Sequence, residues 1–105
     1  MKTKPGEVYK VDLGYGGKVR PMVVVSREDE DVPRALAVCA PITTAYRKSP
    51  YEVDIGKLRF LRLPSYVNVQ GIQAIQHHEL SGPLGRLDEE RMESIREALK
   101  YMLEV

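Results

Sequence analysis

Arg20 and the pair Thr43-Thr44 are the residues of this chain whose types and positions most readily suggest chemistry. Arg20 follows the glycine-rich stretch Gly14-Tyr15-Gly16-Gly17-Lys18-Val19 and precedes Pro21, whose ring restricts the backbone of the residue before it. Thr43 and Thr44 close a second apolar run, Leu36 to Ile42. A guanidinium presents a planar fork of donors and a hydroxyl adds one more, a combination suited to gripping a phosphate. Tyr15 could stack a nucleobase beside them, and Lys18, Arg47 and Lys48 could meet a phosphate backbone.

Other reactive residues read as structural. His77 and His78 titrate near neutrality, but as neighbours on a strand they would face opposite ways and could not flank one phosphate. Glu28-Asp29-Glu30-Asp31 reads as a solvated loop. The single cysteine, Cys39, sits inside an apolar strand and reads as a buried thiol; with two adjacent histidines it offers no metal-ligand spacing, so neither a metal nor a cofactor is expected.

Charge is segregated along the chain although its formal total is only +1. Residues 1–27 hold six bases and two acids, whereas residues 64–105 hold four bases and seven acids. One basic and one acidic face would bind a polyanion on one side only. At 105 residues the chain fits one domain spanning 1–105, with no apolar run near the roughly 20 residues of a membrane span. The N-terminus has no apolar stretch behind its lysines and does not read as a signal peptide, so a cytoplasmic location without membrane attachment is expected.

The elements that must position these groups follow from periodicity. Glu7 to Leu13 alternates, with Tyr9, Val11 and Leu13 on one side, as a half-buried strand does. Met22 to Val25 and Ala35 to Ile42 are continuous apolar runs, expected of strands covered on both faces. Tyr51 to Ile55, Tyr66 to Val69 and Ile72 to Ile75 are shorter strand candidates, and Gly71 marks a bulge or a close backbone approach. Asp88 is a good N-cap, Glu89 and Glu90 complement the helix dipole, and Met92, Ile95, Leu99, Met102 and Leu103 recur at helical spacing to the C-terminus. Strands followed by one helix make a β-rich α+β domain, most simply a small twisted barrel.

The order of these blocks resembles the MazF/PemK family of toxin endoribonucleases. Gly6-Glu7-Val8-Tyr9 and Val11-Asp12-Leu13 match the family's opening, Arg20-Pro21 with Val23-Val24-Val25 its loop and valine strand, and Pro41-Ile42-Thr43-Thr44 its next strand end. Leu63-Pro64-Ser65-Tyr66-Val67 matches a later block, and Gly85-Arg86-Leu87-Asp88 the start of the final helix. The resemblance implies an SH3-like barrel with a C-terminal amphipathic helix. It also implies a homodimer that cuts single-stranded RNA without a metal and is held inactive by an acidic, extended antitoxin segment. By the same resemblance Arg20 would bind the scissile phosphate and assist the leaving group, and Thr43 would hydrogen-bond a phosphate oxygen. Tyr15, Lys18, Thr44 and Gln73 would contact RNA. Gln73 stands where many members carry an arginine, and the first loop is short and lacks an acid. An RNA- or antitoxin-binding module with weakened catalysis is therefore an alternative. A CcdB-like gyrase poison ranks behind it, because the chain's last residues lack a tryptophan.

Overall fold

The computed structural model describes residues 1–12, 14 and 19–105. Seven strands precede one helix: β1 (Glu7–Asp12), β2 (Val19–Val24), β3 (Leu36–Thr43), β4 (Glu52–Gly56), β5 (Ser65–Asn68), β6 (Gln73–Gln76), β7 (Leu80–Arg86) and α1 (Glu89–Leu103). The strands form one sheet in the order β4-β5-β3-β2-β1-β7, with β6 also paired to β3. β3 is the hub. Its first half, Leu36 to Cys39, pairs with β6 and its last residues, Ile42 and Thr43, with β5, while Val24 to Met22 of β2 lie along Cys39 to Pro41.

The unbroken apolar runs have the cause their composition suggests. Val8, Val23, Ala40 and Ile42 face the larger cluster, which Ile95 and Met92 of α1 complete. Tyr9, Val11, Met22, Val24 and Cys39 face a second cluster closed by Ile75 and Leu80. Both faces of β2 and β3 are thus covered, so neither strand alternates. Burial pushes the Cys39 thiol up to about 11, which makes it a structural thiol and a poor nucleophile. Burial likewise pushes the Tyr9 phenol up to about 12, helped by its hydrogen bond to Glu7 (3.0 Å).

β7 has no counterpart in the periodicity analysis. Gly82, Pro83 and Gly85 disfavour a strand, but β7 is an edge that pairs only with β1, where a missing donor is tolerated. Glycine is required at position 85, where a Cβ would come within 2.2 Å of the Phe60 ring. That close approach sets β7 against the connection after β4. Gly71 is likewise a close approach, since a Cβ there would lie 2.8 Å from Pro41 Cγ; it ends a 3₁₀ turn rather than forming a bulge.

The helix begins as its sequence indicates. The Asp88 carboxylate accepts the Arg91 N–H at 2.9 Å, and Arg91 Nε donates to the Ile55 carbonyl at 2.9 Å, tying α1 to β4. One assignment changes. Met92 is 2% exposed and belongs to the core as its spacing predicts, but Leu103 is 54% exposed rather than part of the packed stripe. Ala98 takes the buried position between Ile95 and the half-buried Met102.

Candidate RNA-binding and catalytic site

β2 begins at Val19, earlier than the valine run suggests, because Val19 and Arg20 pair with Asp12 and Val11 of β1. This places Arg20 on a hydrogen-bonded strand. Met22 and Pro41 are the last pair of the β2–β3 ladder, and Arg20 and Thr43 each lie two residues beyond it on their strands. Two clefts meet at this point, and Arg20 and Thr43 line both.

The larger cleft, about 710 Å³, has apolar walls from Val19, Phe60, Leu63 and Leu84. Its charged lining consists of Lys10, Arg20 and Arg62, with no carboxylate among the described residues. Thr44 lies in it as well. An apolar floor with three cations favours an amphipathic anion. The smaller cleft, about 420 Å³, is lined by Arg47, Glu52, Asn68 and Gln70, among others. Arg20 is exposed, and none of the ion pairs among the described residues involves it; they tie Lys2 to Glu28 and Glu30 and run along the helix.

Thr43 is oriented by its own turn. Its hydroxyl oxygen accepts the Ala45 N–H at 3.1 Å, which leaves its proton available for donation. Glu52 organises the rest of the connection. Its carboxylate accepts the Ser49 hydroxyl (2.8 Å), the Ser49 N–H (3.1 Å) and the Arg47 N–H (3.1 Å). Desolvation pushes this carboxyl up, but the hydrogen bonds from the Ser49 hydroxyl and the Arg47 and Ser49 amides outweigh it and hold the group below its ordinary value. A carboxylate so engaged is a scaffold and a poor proton acceptor. Between these anchors, Tyr46 stacks on Tyr66, with ring centroids 4.3 Å apart and planes 4° from parallel.

The other sequence-derived candidates fall elsewhere. Gln73 is exposed on β6 opposite Cys39, four residues along β3 from Thr43 or roughly 13 Å, and it lines neither cleft. Tyr15 and Lys18 lie outside the described residues. His77 and His78 form a short 3₁₀ turn beside the start of β3, with the His77 N–H bonded to the Ala35 carbonyl, at the opposite end of that strand from Thr43. Sequence reasoning missed Glu52, Asn68 and Gln70. Ser49-x-x-Glu52 carries the spacing of a capping box and was the available signal, although here it closes a loop and not a helix.

Residues 4–103 match the family model of the PemK-like, MazF-like toxins of type II toxin–antitoxin systems. The chain belongs to this family. It is 35% identical over 98 residues to Endoribonuclease MazF4 of Mycobacterium tuberculosis, covering 93% of this chain and 90% of that protein. Among solved structures it resembles an endoribonuclease in complex with its cognate antitoxin from a mycobacterial species, with a TM-score of 0.85 and 32% identity over 98% of this chain and 96% of that one. MazE–MazF from Deinococcus radiodurans shares the fold, with a TM-score of 0.78 at 18% identity over 98% and 96% of the two chains. The mostly antiparallel sheet with one C-terminal helix is therefore the MazF-like fold.

Proposed function

We infer that this protein is a MazF-type endoribonuclease toxin that cleaves single-stranded RNA without a metal and is neutralised by a cognate antitoxin. The observation that carries the reading is the meeting of Arg20 and Thr43 where two clefts join, in a chain 35% identical to a curated endoribonuclease. An RNA strand crossing from one cleft to the other would place a phosphate on this pair. The ribose 2′-hydroxyl gives its proton to water as its oxygen attacks the adjacent phosphorus, the P–O5′ bond breaks to leave a 2′,3′-cyclic phosphate, and negative charge accumulates on the nonbridging oxygens on the way. In this reading Arg20 neutralises that charge and hydrogen-bonds the departing 5′-oxygen, which takes its proton from water, and the Thr43 hydroxyl donates to a phosphate oxygen.

The cations and apolar walls of the larger cleft also suit an acidic extended antitoxin segment with apolar side chains, which would compete with RNA for the same ground. Membership of the PemK-like family favours RNA over DNA gyrase as the target. A homodimer in the cytoplasm is part of the same reading, with exposed Tyr101 and Leu103 leaving apolar surface at the helix end.

The test is incubation with mixed single-stranded RNA in EDTA. The protein is expected to cut at a restricted set of sequences, and Arg20→Ala to lower the rate by about 100-fold or more. Cleavage by neither protein overturns the catalytic reading, and salt-sensitive RNA binding without product would leave a binding module.

A further inference from the structure

We propose that the Tyr46–Tyr66 stack is a base-binding platform that holds the nucleotide next to the scissile phosphate. The proposal rests on the endoribonuclease reading and adds to it a positioning site that the cleft-lining residues do not include. Tyr66 lies directly opposite Thr43 in the β3–β5 ladder, so the two side chains share one face of the sheet. Arg20 on β2, two residues beyond the last β2–β3 pair of Met22 with Pro41, lines both clefts together with Thr43. Arginine, threonine and tyrosine thus lie on three adjacent strands, and Arg20 and Tyr66 are separated by two strand spacings, roughly 10 Å at the backbone. A single nucleotide joins a phosphate at one to a base at the other.

The stack is built to receive a ring. Tyr66 is half-buried and covers one face of Tyr46, and the planes differ by only 4°. Tyr46 remains 45% exposed, and a base laid on the ring face away from Tyr66 would become the third member of the pile. The loop holding Tyr46 is fixed at both ends, by the Thr43 hydroxyl on the Ala45 N–H and by the Glu52 carboxylate on Arg47 and Ser49. Holding the ring in place before binding reduces the entropy lost when a base docks. The loop also contains Arg47 and Lys48 and has no acid of its own; the Glu52 carboxylate is consumed internally, and Asp54, exposed and opposite Tyr66 in the β4–β5 ladder, accepts the Gly56 N–H at 2.8 Å. Because every base has a π-face, the platform fixes position without selecting sequence.

The experiment measures binding of short, non-cleavable 2′-O-methyl oligonucleotides carrying 2-aminopurine, whose fluorescence is quenched on stacking, and in parallel the cleavage of mixed RNA. Tyr46→Ala is expected to weaken binding by about 5- to 150-fold, the range that loss of one stacked base corresponds to, and to abolish the quench. Tyr46→Leu keeps apolar packing on Tyr66 but lacks a π-face, and should lose as much. Tyr46→Phe should restore both signals, and the set of cleaved sequences should not change in any variant. Binding and quenching by Tyr46→Ala equal to the starting protein overturn the platform, as does Tyr46→Leu behaving like Tyr46→Phe. A starting protein that binds and quenches without cleaving overturns the endoribonuclease reading and keeps the platform, and one that does not bind overturns both.

Discussion

The connections on either side of β3 are both polar and both rich in charge, yet they differ in how those charges are used. Residues 26–35, between β2 and β3, hold four consecutive acids, and Lys2 meets Glu28 at 3.1 Å and Glu30 at 3.0 Å across an exposed surface. Residues 44–51, between β3 and β4, have no acid of their own and borrow a single one, Glu52. That carboxylate faces two amides and a hydroxyl, so it fixes backbone, whereas Lys2 and its partners join flexible side chain tips in water. The amount of charge is greater in the first loop, and the structural consequence is greater in the second. Ordering comes from acceptors placed at orphan backbone donors.

The comparison can be broken by substitutions in each loop. The largest effect is expected from Thr43→Val, which keeps the shape but removes both the acceptor for the Ala45 N–H and the donor to phosphate. Cleavage should fall by about 100-fold, measured as kcat/KM on a single-site RNA. Glu52→Gln comes next. It keeps the size but weakens acceptance, so amide exchange at Arg47 and Ser49 should accelerate by about tenfold while amides in β3 stay protected. Unchanged exchange in the 44–51 segment would show that Glu52 does not hold it.

Acid should produce the same loosening reversibly. The folded Glu52 carboxyl lies below its ordinary value, so the order it confers is complete above that value and is lost as pH falls through the lowered folded value. The protection of the Ser49 amide, its exchange rate taken relative to the intrinsic rate at each pH, should therefore fall only below about 4.5, the ordinary value of a glutamate. The smallest effect is expected in the other loop: Lys2→Ala should move Tm by no more than about 2 °C. A large drop there would mean that surface pairing orders residues 26–35 after all.

Legibility from sequence followed the range of the interactions. The strand β1, the covered runs of β2 and β3, and the Asp88 cap of α1 are local signals and are present, although β2 begins three residues before the run and Val8 is buried beside Tyr9 on β1. β7 was missed because its glycines and proline argue against a strand, and only its edge position and the Phe60 ring packed over Gly85 make it one. Arg20 and Thr43 were legible as a pair through the order of the family blocks. The family resemblance sets Gln73 among the RNA contacts, and the β3–β6 register places it opposite Cys39, outside the lining of both clefts.

By itself the sequence determined the residue types available, the periodicities of most strands and the helix, and the family to which the chain belongs. It could do so because these depend on neighbours a few positions apart and on the order of motifs. Tertiary structure decided which distant residues share a surface. Strand register set Tyr66 opposite Thr43, the fold brought Arg20 and Thr43 into the same clefts, and side-chain hydrogen bonds assigned Glu52 to scaffolding. Those outcomes arise from pairing between strands far apart in the chain, where a shift of one residue would turn every side chain to the opposite face.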